Sequence, residues 1–259
     1  MAKFNIDRLP RLARSMFESQ SKWGDKNWKD TLKFHAREIN TLLDDMSIFD
    51  LWKKTLGDGY GKVGQNLLPE IYMDVYVSVH FACMGLYKQS HVCLRAELEN
   101  ALRLVYFAVH PVEYGWWRSG KDFFKKKDVW ADDYRYFRQL DEVQKFQQAC
   151  KNDGHKVDVF DAVKNLYGKL SQYVHTGPTT FITTPDRFAP KYRKPEFGKW
   201  LNAFKETQKC INLILVLGFT EDFKKLTLPK KKGILKKTGD KKVKKGLRKS
   251  IPVKFVGAI

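Results

Sequence analysis

Three side chains spaced four residues apart offer the chemistry of proton transfer. Tyr167, Ser171 and His175 follow one another at helical steps, so they share one stripe of a predicted helix. His175 comes two residues before Gly177-Pro178, which places it in the last turn of that helix. The helix dipole there favours a protonated imidazole, and histidine exchanges protons near neutral pH. The spacing therefore predicts that His175 acts as a general base at an open helix end.

A second polar stripe is formed by Arg95, Glu99 and Arg103, which are also four residues apart on a predicted helix. One interpretation is a ladder of ion pairs along that helix, worth about 0.3–0.5 kcal/mol per pair. The other places Arg95 across a groove from Ser171 and His175, where a guanidinium holds a phosphate through two parallel hydrogen bonds. Both interpretations stay open on the sequence alone.

The two stripes carry a resemblance to a known family. Leu94–Ala101 contains an Arg-x-x-x-Glu pattern, and Tyr167–Pro178 contains the pattern Leu-Ser-x-x-Val-His. Together they resemble the HEPN superfamily and, more narrowly, bacterial abortive-infection and other defence proteins. The resemblance covers roughly residues 67–178 and implies an α-helical bundle that is often dimeric. It also implies metal-independent endoribonuclease activity in catalytic members, whereas other members are binding or regulatory modules.

The family motif is an arginine followed, after four to six residues, by a histidine. His175 matches the histidine, Leu170 stands where the arginine is expected, and Lys169 is the nearest basic residue. By the resemblance, His175 takes the proton from a ribose 2′-hydroxyl, Arg95 or Lys169 stabilises charge on the phosphate, and Ser171 donates a hydrogen bond. Neither a metal nor a cofactor is expected, because the 2′-oxygen is an internal nucleophile. The predicted catalytic set is His175, Arg95, Ser171, Lys169, Glu99 and Tyr167.

Positive charge is concentrated near the end of the chain. The 259 residues carry 48 Lys and Arg against 29 Asp and Glu, a net charge of +19. Residues 224–259 hold fourteen of the basic residues and one acid, Asp240, so this segment contributes +13. Such a segment is typical of polyanion binders, and the alternative is a solubilising tail. The residues predicted to bind nucleic acid are Lys231, Lys232, Lys236, Lys237, Lys241, Lys242, Lys244, Lys245, Arg248 and Lys249.

The lysine-rich segment is expected to be disordered when free. Gly233, Gly239 and Gly246 each disfavour a helix by about 1 kcal/mol, and the charge is high. An anionic membrane surface suits the segment less well than nucleic acid, since it shows neither an apolar helical face nor a lipidation signal.

Apolar residues elsewhere recur every three or four positions, without the alternation of strands. We therefore predict an all-α fold, with a bundle of about five to seven helices over residues 1–223 and a disordered basic tail over 224–259. One helix is expected to end near Leu56, a glycine-rich connector to span 57–64, and the next helix to begin at Pro69.

The cysteine spacing and the lengths of the apolar runs indicate the cellular setting of the chain. No two of the four cysteines lie within four residues of each other, which argues against a zinc knuckle and favours a reducing, cytoplasmic setting. The chain starts without the apolar stretch of a secretory signal, and no apolar run approaches the ~20 residues that a bilayer needs.

Two functional hypotheses follow. The first is an RNA-binding protein of a bacterial defence or toxin system that works as a metal-independent endoribonuclease, with His175 as the general base. The second is a non-catalytic nucleic-acid-binding or scaffold subunit of a defence complex, which acts through the basic tail. The expected partners are nucleic acid, RNA above all, and either a second copy of the chain or a protein of a defence complex. No membrane partner is expected.

Overall fold

The protein is described by a computed structural model over residues 11–57, 59–120, 129–152, 159–174 and 190–251. Every regular element within these ranges is a helix, which confirms the predicted all-α fold. The described ranges contain eleven helices, more than the predicted five to seven. They are α1 (Arg11–Leu56), α2 (Gly61–Cys83), α3 (Tyr87–Phe107), α4 (Pro111–Arg118), α5 (Val129–Gln139), α6 (Asp141–Asn152), α7 (Val159–Val174), α8 (Lys194–Gly218), α9 (Thr220–Lys225), α10 (Leu228–Lys237) and α11 (Lys241–Ser250).

The junction between α1 and α2 shows what local sequence can predict. The end of α1 at Leu56 is as expected, but α2 begins at Gly61 rather than at Pro69. Gly61 has a φ of +52°, which glycine adopts without steric hindrance, so the helix starts eight residues earlier. Pro69 then lies inside α2, where it lacks the N–H that would bond to the Gln65 carbonyl.

The centre of the core lies where α2, α3 and α8 pack against one another. Trp200 of α8 is fully buried, and its indole nitrogen donates to the Ser78 hydroxyl of α2 at 3.0 Å. That hydroxyl donates in turn to the Ser90 carbonyl of α3 at 2.9 Å, so one hydrogen-bonded chain joins three helices. Helix α7 also packs on α3, which brings together the two helices that carry the predicted polar stripes.

The predicted disorder of the tail is wrong for residues 228–250, which form α10 and α11. Ile234 and Leu235 of α10 and Leu247 of α11 are buried. Asp240 caps α11 by accepting hydrogen bonds from two backbone N–H groups, at 2.9 and 3.0 Å. The apolar residues between the lysine pairs give both helices a face that the body of the protein covers, and this burial offsets the entropy of ordering the segment.

One of the glycines expected to oppose helix formation is instead required for packing. A Cβ on Gly246 would lie 2.5 Å from the Cys150 sulfur and 2.9 Å from a ring carbon of Phe146, both in α6. Only a residue without a side chain lets α11 approach α6 this closely.

We predict that Gly246→Ala lowers the free energy of unfolding by about 1–3 kcal/mol, because the added methyl group overpacks a filled contact. The matched control is Gly233→Ala in α10, where an added Cβ meets nothing within 4 Å. The control substitution is expected to raise the free energy of unfolding by about 0.5–1 kcal/mol, since glycine loses more entropy in a helix than alanine. Chemical denaturation measures both values, and a stabilising Gly246→Ala would contradict the close packing of α11 on α6.

Candidate functional site

Three of the six predicted catalytic residues meet where α7 packs on α3. The Nε of Arg95 donates to Glu99 Oε1 at 2.9 Å, and its Nη2 donates to the Tyr167 hydroxyl at 2.7 Å. The guanidinium also lies 4.9 Å from the centre of the Tyr167 ring, within the range of a cation–π contact. The two polar stripes are therefore in direct contact through Arg95 and Tyr167.

The contact continues into a network along α3. Arg103 donates to Glu99 Oε2 at 3.2 Å and to Asn100 Oδ1 at 3.1 Å. Asn100 donates to Asp74 Oδ2 at 3.0 Å, and the Arg103 Nε lies 3.9 Å from a carboxylate oxygen of Asp133, which is buried. The network thus joins α3 to α2, α5 and α7, so the ion-pair ladder predicted along α3 is present and forms part of a larger cluster.

Burial raises the pKa values of two titratable groups in the network. The pKa of Asp74 is raised to about 6, chiefly by burial and also by the nearby carboxylates of Glu70 and Glu99, against the opposing effects of the hydrogen bond from Asn100 and the charge of Arg103. Burial is also the largest cause of the raised pKa of Tyr167, and the Glu99 carboxylate beside its hydroxyl raises it as well, so the phenol stays protonated at neutral pH. Two of the five N–H groups of Arg95 are used within the network, which leaves donors for an anion.

The other predicted catalytic residues have different surroundings. Lys169 pairs with Glu206 of α8 at 3.1 Å and is about half exposed, so its ammonium serves a surface ion pair. The Ser171 hydroxyl oxygen is buried and has no hydrogen-bond partner in the part of the chain that the structure describes. Leu170, which stands where the family motif has arginine, is fully buried in the core. His175 lies outside the described residues, so its meeting with Ser171 stays a prediction.

A buried carboxyl group next to this network was missed at the level of sequence. Glu97 of α3 is fully buried, and the side-chain nitrogen of Gln208 in α8 lies 2.8 and 3.0 Å from its two carboxyl oxygens. Burial raises the pKa of Glu97 well above its ordinary value. The signal was available: Glu97 follows Leu94 by three residues and precedes Leu98, so it falls on the apolar face of α3.

The protonated state of Glu97 leads to a pH-dependent prediction. Between the ordinary pKa of 4.5 and the raised pKa, the folded protein binds a proton that the unfolded chain has released. The contribution of Glu97 to stability is therefore present below pH 4.5 and is lost as pH rises, by about 1.4 kcal/mol for each unit of raised pKa. Glu97→Gln replaces the carboxyl group with an amide of similar shape that does not titrate, and so removes this loss.

We expect the stability of Glu97→Gln relative to the original protein to increase from pH 4.5 towards pH 8. Denaturation at each pH measures the difference, in which the titration of all other groups cancels. Glu18→Gln, at an exposed position of α1, is the control and is expected to show no such trend. A difference for Glu97→Gln that is independent of pH would mean that Glu97 is charged in the folded protein.

The ten basic residues predicted to bind nucleic acid lie on or beside α10 and α11, and most of them are exposed. We call the exposed ones the lysine surface: Lys232, Lys236, Lys241, Lys242, Lys245, Arg248 and Lys249. Lys231 is buried, and Lys244 is half-buried and donates to the Lys236 carbonyl at 3.1 Å. That bond links α11 to the end of α10.

Lys237 differs from the lysine surface, because it holds α10 to α1. Its ammonium donates to Asp44 at 3.0 Å and to Asp45. Burial by itself lowers the pKa of Lys237, but the hydrogen bonds with Asp45 and Asp44 outweigh this effect and raise the pKa. Lys237 is therefore a charged anchor that joins α10 to α1.

The described ranges offer neither a metal-binding cluster nor a membrane-spanning helix. No group of three or more His, Cys, Asp or Glu side chains is arranged there to hold a metal ion. None of the described helices combines the length and apolar character needed to cross a membrane. Comparisons of the chain with models of protein families, with curated proteins and with solved structures gave no match.

Proposed function

We propose that this protein binds RNA through the lysine surface, as a non-catalytic nucleic-acid-binding module. The observation that carries the proposal is the folding of the basic segment into two helices that bury their apolar residues and expose seven cations. Charge that only solubilised the protein would not need an ordered, anchored arrangement. Helices held by Lys237 and by the Gly246 contact present cations at set positions, so an RNA backbone binds without first ordering the segment.

The physical source of affinity is neutralisation of phosphates. Each lysine that contacts a phosphate releases condensed counterions, and this gain does not depend on the base sequence.

The four cysteines are free thiols, which supports a cytoplasmic setting. The proposed biological context is a bacterial defence or toxin system.

Charge reversal on the lysine surface tests the proposal. The variant Lys232→Glu, Lys236→Glu and Lys242→Glu changes three exposed side chains, and the matched control reverses three exposed lysines of α1, at Lys22, Lys26 and Lys29. Both variants have the same net charge. Fluorescence anisotropy with labelled single-stranded RNA is expected to show loss of affinity in the first variant and near-original affinity in the control. Equal affinities in the two variants would contradict the proposal.

A metal-independent endoribonuclease is the second candidate function. The observation in its favour is the meeting of Arg95, Glu99 and Tyr167 at the contact of α3 and α7. In this proposal His175 takes the proton of a ribose 2′-hydroxyl, and the 2′-oxygen attacks the adjacent phosphorus. The 5′-oxygen leaves as the strand breaks and receives a proton from water, so a 2′,3′-cyclic phosphate remains. The remaining N–H groups of Arg95 face the charge that develops on the phosphate.

A further inference from the structure

We infer that the pocket between the beginning of α2, the middle of α3 and α4 holds one nucleotide of a single-stranded RNA. The pocket has a volume of about 460 Å³, within the range of small-molecule sites. Its lining combines an indole, side-chain amides and a guanidinium, which are the three groups that recognise a base and its phosphate, and it also includes the carboxylate of Glu70. The residues that carry the argument are Gln65, Asn66, Asn100, Tyr114, Trp117 and Arg118.

The indole of Trp117 supplies a rigid surface for a base. Its ring packs against Phe107 and Tyr114, with ring centres 5.4 and 6.0 Å apart, and the Arg103 guanidinium lies 5.8 Å from its centre. Trp117 is only half-buried by these contacts, and the remainder of the side chain lines the pocket. An aromatic ring fixed in this way stacks on any base, since every base has a π-face.

The amides are held so that they present polar atoms to a base edge. The Asn66 nitrogen donates to the Tyr114 hydroxyl at 2.7 Å, and that hydroxyl donates to the Lys62 carbonyl at 3.3 Å. This chain of bonds orients the amide of Asn66 and leaves its carbonyl oxygen as an acceptor. Gln65 is exposed at the rim of the pocket and supplies a second amide. Amides in fixed orientations recognise the exocyclic amino and carbonyl groups of bases.

The guanidinium of Arg118 is the group that suits a phosphate. Arg118 is exposed at the edge of the pocket and forms no ion pair with any carboxylate in the ranges that the structure covers. A guanidinium binds phosphate oxygens through two parallel hydrogen bonds. On the opposite wall, Asn100 is bonded to Arg103, so the pocket adjoins the Arg95–Glu99–Arg103 network.

The inference rests on the proposed function in one respect: the nucleotide in the pocket is taken to be one unit of the bound RNA. The lysine surface would hold the backbone without regard to sequence, and the pocket would hold one base. A mononucleotide therefore probes the pocket alone, whereas a short single-stranded oligonucleotide probes its use by a strand.

The test is titration calorimetry of the full chain with AMP, with adenosine and with inorganic phosphate. AMP is expected to bind more tightly than either fragment. Trp117→Leu is expected to weaken AMP binding by about 5-fold to 150-fold, the range that stacking on an aromatic side chain provides. The matched control is Trp116→Leu, at an exposed tryptophan beside it that does not line the pocket. Arg118→Gln is expected to weaken AMP binding about 10-fold or more and to leave adenosine unaffected, with Arg37→Gln as its control.

Each outcome bears on the inference separately from the proposed function. If AMP fails to bind, or binds equally to Trp117→Leu and Trp116→Leu, the pocket is not a nucleotide site. An oligonucleotide that does not compete with AMP overturns the assignment to a strand. The charge-reversal variant of the lysine surface is expected to keep its AMP binding while it loses RNA. Retention of RNA by that variant would count against the proposed function and leave the AMP result to decide the pocket.

Discussion

The affinity of the protein for single-stranded RNA is expected to fall by roughly 10²- to 10³-fold between about 50 and 200 mM salt, if six phosphates are contacted. The lysine surface has seven exposed cations. Each contact releases counterions, so the logarithm of affinity falls linearly with the logarithm of salt concentration, by about 0.7 per contact on a single strand. Anisotropy titrations over a range of salt concentrations measure this slope.

The slope also identifies which lysines take part. Reversal of Lys232, Lys236 and Lys242 removes three contacts and is expected to reduce the magnitude of the slope by about 2. The reversed lysines of α1 carry the same change in net charge and are expected to leave the slope nearly unchanged. A slope that falls equally in both variants would show that RNA responds to net charge and has no preference for α10 and α11.

Charge reversal is a sharper experiment than removal of residues 224–259. Gly246 of α11 packs next to Phe146 and Cys150 of α6, and Leu247 is buried. Truncation would expose these apolar side chains and destabilise the body, so lost RNA binding could not be assigned to lost cations. The reversed side chains are exposed and leave the packed faces of α10 and α11 intact.

The parts of the fold that followed from the sequence are those set by neighbouring residues. Apolar spacing predicted the end of α1 at Leu56, because the pattern is regular over many turns. The order of α10 and α11 was not predictable in this way. Gly246 is unfavourable in an isolated helix, and its benefit comes from a contact with Cys150, about a hundred residues away.

In the candidate site, too, contacts within one helix could be predicted from the sequence, whereas contacts between helices could not. The Arg95–Glu99 pair is one helical turn apart, so the sequence was sufficient to predict it. The position of Glu97 on the apolar face was visible too, but its partner Gln208 depends on how α3 packs against α8. Pairings between helices require the tertiary structure, and a polar residue at a core position is the signal that such a partner exists.

The second candidate function leads to the other prediction with a large effect. With EDTA present, the original protein is expected to cleave single-stranded RNA, since the proposed reaction needs no metal. His175→Ala is expected to slow cleavage by about 10²- to 10⁴-fold, the contribution of a general base. The control is His80→Ala, at an exposed histidine of α2. Cleavage that survives His175→Ala unchanged would eliminate His175 as the base.

Arg95 distinguishes a catalytic network from a structural one. Arg95→Gln removes the cation that faces the phosphate and is expected to reduce the cleavage rate by about 10²- to 10³-fold. A merely structural role would lower stability by an amount typical of a partly buried ion pair and leave the rate per folded molecule unchanged, so denaturation and rate are measured on the same sample.

A short oligonucleotide in the charge-reversal variant decides between the two candidate functions. An enzyme whose network lies at the contact of α3 and α7 should still cleave a short substrate slowly when the lysine surface is reversed, because the chemistry does not use those cations. A binding module should show neither cleavage nor affinity. Slow cleavage that His175→Ala abolishes in the same background would establish that α10 and α11 capture RNA while a separate site breaks it.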